Sequence, residues 1–130
     1  MVTITNREAA EARQALTGLA KIAWPGAVAL KIKRMYREVN TAYTDMETLR
    51  EEALARLGKK REDGQLFINE QGMVSFETIE AAREFTAYLK DLHAATVEIQ
   101  HTLSEQDVVG KEVVPELLIG LGPLLEEDAE

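Results

Sequence analysis

Apolar residues recur along this chain with two periods, one near 3.6 residues and one of 2, and the alternation between them divides the 130 residues into segments. Val2 and Ile4 alternate with Thr3 and Thr5, a short strand pattern. Asn6 then offers an oxygen to cap a helix, with Glu8 in the first turn, where the helix dipole favours an acid. Ala9, Ala12, Leu16, Leu19, Ala20 and Ala23 follow at steps of three and four, which predicts an amphipathic helix over 7–23. Trp24, Pro25 and Gly26 end it, because proline has no N–H to donate and biases the residue before it away from helical geometry. Trp24 is expected to anchor this hinge.

A second, longer helix is predicted over 27–57, ending at Gly58 in a left-handed cap. Its seam is Val28, Ile32, Met35, Val39, Ala42, Met46, Leu49 and Ala53, spaced by alternating fours and threes as in a heptad repeat. At 1.5 Å per residue such a helix is roughly 45 Å long, more than the first helix can cover. A third helix over 77–95, with Ile79, Ala82, Phe85, Leu89 and Leu92 at steps of three and four, is the expected cover, and this favours a monomer over a homodimer.

Between these helices the period changes. Leu66 and Ile68 alternate with Phe67, and Glu70, Gln71 and Gly72 suit a hairpin turn in which glycine supplies a positive φ. After the third helix, Val97, Ile99 and His101 form another strand pattern that can join a small sheet. Ser104 suits the cap of a short turn, and Pro115 the first position of a last short helix stopped by Gly120, Gly122 and Pro123. The predicted fold is α+β and mainly helical: three helices including one long helix packed as a helical hairpin, a small antiparallel β element and a short C-terminal helix. One domain over 1–125 is expected, with a solvated acidic tail over 126–130.

Composition adds boundaries. With 45% apolar and 29% charged residues the chain is able to build a core, and with no cysteine it has neither disulfides nor thiolate chemistry. The opening lacks the basic and apolar regions of a secretion signal, and the most apolar window, 113–125, is too short to span a bilayer. Net charge is -8, and it is uneven: residues 1–61 hold 12 Lys and Arg against 7 Asp and Glu, whereas residues 62–130 hold 3 against 16. The two halves are electrostatic complements, so pairing within the chain is the first expectation.

Candidate chemistry is sparse. Ser75 and Ser104 lack the glycine-flanked elbow of a hydrolase nucleophile, and His93 and His101 lack the spacing that places two imidazoles on one metal. No catalytic, metal or cofactor-binding residue is assigned. The candidate partner-binding residues are of three kinds. On the long helix Lys33, Arg34 and Arg37 fall on the arc opposite the seam and Lys31 beside it. Arg34 is expected to pair with Glu38 one turn on, which leaves Lys31, Lys33 and Arg37 without a local partner, while Tyr36 and Tyr43 flank the seam. Three free cations on an acidic protein are few for a phosphate backbone, since nonspecific affinity grows with the counterions released, and this disfavours nucleic acid. Glu80, Glu84 and Asp91 give the third helix an acidic face, and Leu117, Leu118 and Leu121 make the C-terminal segment an apolar candidate surface.

The order of these features resembles a family of small proteins of unassigned function encoded by tailed phages and prophages. The likeness is carried by NREAAEARQALTGLA, the long helix from ALKIKRMYREV to ALARLGKK, DGQLFINEQG, FTAYLKDLHAATVEIQ and LLIGLGPLLEE. It implies no cofactor and no catalytic signature. What it implies is a non-enzymatic accessory protein that binds another protein during virion assembly or as a minor virion component, in the host cytoplasm or the particle. The alternative from another class is an inhibitor of a host or defence enzyme whose acidic surface mimics nucleic acid. Nucleic-acid binding through Lys31, Lys33 and Arg37 is the weaker alternative.

Overall fold

A computed structural model describes residues 1–126; of the expected acidic tail, residues 127–130 lie outside the described residues. Strand β1 (Val2–Thr5) leads directly into helix α1 (Asn6–Leu19). The cap is Thr5 rather than Asn6: its hydroxyl accepts from the Glu8 N–H, and the Glu8 carboxylate accepts from the Thr5 N–H. This reciprocal pair satisfies two donors that the first turn would otherwise leave open. The helix stops at Leu19, four residues before the predicted end, because the chain turns there to bring Ile22 and Trp24 against the core and the Trp24 Nε1–H donates to the Leu19 carbonyl at 2.8 Å. Ala20 and Ala23, predicted on the buried stripe, are therefore exposed, and Ala15 is buried instead.

Helix α2 (Gly26–Leu57) matches the predicted long helix. Seven of the eight predicted seam residues are buried, the exception being Leu49 at 41% exposure, with Leu54 buried close by. Gly58 is not left-handed, since the positive-φ residues are Gly64, Gly72, Gly110 and Gly122. It is required there for room: a Cβ would lie 2.7 Å from both the Leu54 carbonyl oxygen and Leu66 Cδ2.

The described contacts form two compact units, Asp45–His93 being one and the segments on either side of it the other. In the flanking unit α1 packs against residues 26–44 of α2 as an antiparallel hairpin, burying Leu16 and Leu19 with Val28, Ile32, Met35 and Val39. Strand β2 (Thr96–Ile99) pairs antiparallel with β1, Val2 opposite Ile99 and Thr5 opposite Thr96. Beyond it lie β3 (Leu103–Ser104), the single turn α4 (Glu105–Val108) capped reciprocally by Ser104 and Asp107, and α5 (Pro115–Leu121), which begins on proline as predicted. A 3₁₀ turn (Gly122–Leu124) then feeds β4 (Leu125–Glu126), parallel to β3. Helix α5 lies on α1 at close range, since a Cβ on Gly120 would be 2.9 Å from the Ala15 Cβ.

The Asp45–His93 unit holds residues 45–57 of α2, residues 59–76, and α3 (Ile79–Ala94) up to His93. Residues 59–76 carry two turns where one hairpin was predicted. Gly64 and Gly72 supply positive φ at the turns, and Phe67 pairs to both sides, its N–H donating to the Lys59 carbonyl and its carbonyl accepting from Ser75. Helix α3 buries none of its residues fully. Ala82, Phe85, Leu89 and Leu92 are half-buried, and Ile79 is 67% exposed. The protein is thus α+β and mainly helical, with a long helix packed against α1, a small antiparallel sheet and a short C-terminal helix.

Candidate functional site

The predicted basic face of α2 divides once folded. Ile32, Met35 and Val39 enter the core, which leaves the residues between them to take up different partners. The Lys31 ammonium reaches Asp107, Nζ to Oδ2 3.0 Å, so one of the three candidate cations joins the acidic half of the chain. Partial burial pushes the Asp107 carboxyl up. The Ser104 N–H, the Lys31 hydrogen bond and charge, and the Ser104 hydroxyl together outweigh it and hold its pKa below the ordinary aspartate value.

Glu38 does not pair with Arg34 as predicted. Its carboxylate accepts from the N–H groups of Gln100, at 2.6 Å, and His101, at 3.1 Å, and meets His101 Nδ1 as well. It clamps the turn after β2, where strand pairing has ended and the backbone donors need an acceptor. Arg34, Lys33 and Arg37 make no ion pair among the described residues.

The two tyrosines also separate. Tyr43 lies under Arg13, whose guanidinium is 4.4 Å from the ring centroid and donates to Asn40 Oδ1, so the exposed side of this ring is used within the fold. Tyr36 instead faces a cleft of about 310 Å³ with Ile22, Trp24 and Ile32 as its other large walls, Ala20 and Ala29 between them, and Lys33 as its one charged member. The cleft exists because α1 ends early: the turn of residues 20–25 leaves a gap beside α2, and the Trp24 hydrogen bond to Leu19 fixes the indole along it. A preformed apolar cavity with rigid aromatic walls and one cation has the features of a binding anchor site.

The remaining candidates fall elsewhere. Leu121 is buried at 1% exposure, and Leu117 and Leu118 pack against the core, because α5 must cover α1. The large apolar residue that α5 offers to solvent is Ile119, 76% exposed, with Val114 exposed just before the helix. Glu80, Glu84 and Asp91 are exposed on α3 in the Asp45–His93 unit, with Glu84 at 3.5 Å from Arg56. Among the described residues no cluster of three His, Cys, Asp or Glu is arranged to hold a metal, and no helix is long and apolar enough to cross a membrane. Sequence reasoning took Trp24 for an anchor and Tyr36 for a seam neighbour, but missed that the two line one cleft. It also missed Glu38 and Asp107, whose partners are more than 60 residues away.

Fold and site together define a small α+β protein with an aromatic and basic surface cleft. Comparison with family models, with curated proteins and with solved structures finds no match to this chain.

Proposed function

We propose that this chain is a non-enzymatic protein-binding protein that docks through the Trp24 cleft, and that it serves tailed-phage assembly in the host cytoplasm or as a minor virion component. The observation that carries the docking reading is the cleft itself, an apolar cavity walled by Trp24, Ile32 and Tyr36 beside Lys33, a cation with no ion pair among the described residues. Its chemistry suits a bulky apolar side chain flanked by carboxylates. The assembly role rests on the resemblance in feature order.

Affinity capture from phage-producing cells tests the reading. A defined protein partner should be retained by the native chain and lost with Lys33→Glu combined with Arg37→Glu, both exposed positions. Retention of the same partner by that variant would refute the cleft, and absence of the chain from particles and assembly intermediates would refute the assembly role. The inhibitor alternative has one observation in its favour, the three exposed carboxylates Glu80, Glu84 and Asp91 on α3. It predicts capture of a host enzyme that is lost when those three, rather than Lys33, are reversed to Lys. Nucleic-acid binding is further weakened by the commitment of Lys31 to Asp107.

A further inference from the structure

Helix α5 carries the chemical complement of the Trp24 cleft. Ile119, the most exposed of the large apolar side chains, stands one helical turn after the exposed Glu116. Both line a groove between α1 and α5 in which Glu11 is the other charged member, and the ion pair Glu11 makes among the described residues is with the well-exposed Arg7 at 3.8 Å. The cleft offers the reverse set: an apolar cavity, with Lys33 at it and Arg37 one turn further along α2, neither in an ion pair among the described residues. Both surfaces belong to the same compact unit and share no residue, so one molecule is able to use both at once.

We infer that the cleft binds α5 of a second copy of this chain, with Ile119 seated among Trp24, Ile32 and Tyr36 and Glu116 against Lys33. The inference rests on the docking role of the cleft proposed above and names its occupant. A second copy is favoured over an unrelated protein because the same surface supplies every component the cleft calls for: a protruding branched apolar side chain, a carboxylate one turn away, and no lysine or arginine lining the groove around it. The contact joins two different patches, which makes it heterologous. Repeated head to tail, it propagates through further copies and either closes into a ring or continues as a filament.

Sedimentation velocity of the full chain over a range of concentrations tests this, with the emission of Trp24, the only tryptophan, as a direct readout of the cleft. The native chain should associate with rising concentration and Trp24 emission should shift in step. Lys33→Glu or Glu116→Lys alone should each weaken association by about tenfold or more, since like charges then oppose one another. An equimolar mixture of these two variants should recover association, because each supplies the charge the other lacks. Ile119→Asp should abolish both signals while leaving the melting temperature unchanged, as Ile119 is largely exposed. A chain that stays monomeric throughout, or associates equally well as Ile119→Asp, overturns the inference. If a monomeric chain still captures a partner that depends on Lys33 and Arg37, only the identity of the occupant falls. Loss of both results removes the docking role itself.

Discussion

Glu38 shows how a single side chain acts once the fold has placed it. Its carboxylate serves two backbone donors and an imidazole from residues 100 and 101, so Glu38→Ala should leave two N–H groups without a protein acceptor. Because the Gln100 donor is solvent-accessible, water recovers part of the loss, and the expected cost is about 1–2 kcal/mol in urea denaturation. A change under a few tenths would show the clamp to be dispensable. Asp107 adds a dependence on pH. Its folded-state pKa lies below the unfolded value, so the stabilisation it supplies is complete well above pH ~4 and is lost as pH falls through the folded value. Asp107→Asn retains an acceptor for the Ser104 N–H but removes the charge facing Lys31. The native chain should therefore be more stable than this variant near neutral pH, with the gap closing in acid. With Lys31 about half exposed, that gap should be roughly 1 kcal/mol or less. A gap that widens as pH falls would contradict the assignment.

Among the elements, the contact of α1 with α5 depends on two glycines that differ in their tolerance. A Cβ on Gly120 would meet the Ala15 Cβ at 2.9 Å, and since that atom is fixed to a helical backbone, the helices would have to separate. A Cβ on Gly18 would meet the end of the Leu117 side chain at 2.6 Å, which is able to rotate away. Both substitutions gain roughly 0.5–1 kcal/mol of helical propensity. Gly120→Ala should nonetheless destabilise by about 1–3 kcal/mol through overpacking, whereas Gly18→Ala should be close to neutral in the same thermal melts. Equal effects would mean that the helices are not held this close. Sequence reasoning saw Gly120 only as a helix stop. The close approach is invisible along the chain because Ala15 is more than a hundred residues from it.

At the scale of the molecule, the buried side chains are unequally shared. All of the largest fully buried ones, from Ile4 and Leu16 through Met35 to Leu121 and Leu124, belong to the unit that contains both ends of the described chain, whereas the Asp45–His93 unit buries only Met46, Ala53 and Leu54. Local stability follows buried contact, so amide hydrogen exchange should be slowest in α1, residues 26–44 of α2 and the β1–β2 pair. It should proceed through openings of lower free energy in residues 59–76 and α3. Uniform protection across both units would contradict this. The sequence by itself determined the long helix, its heptad seam, the strand patterns flanking the helices and the proline-started C-terminal helix. Each of these depends on a periodicity or a cap within a few residues, and local sterics and burial decide them. It also determined the opposite charges of the two halves. Only the tertiary structure decided which charges meet, that Tyr36 rather than Tyr43 remains open, that Leu121 is core while Ile119 protrudes, and that an early end to α1 opens a cleft at Trp24. Those outcomes depend on contacts between residues far apart in the chain, whose distances no local pattern encodes.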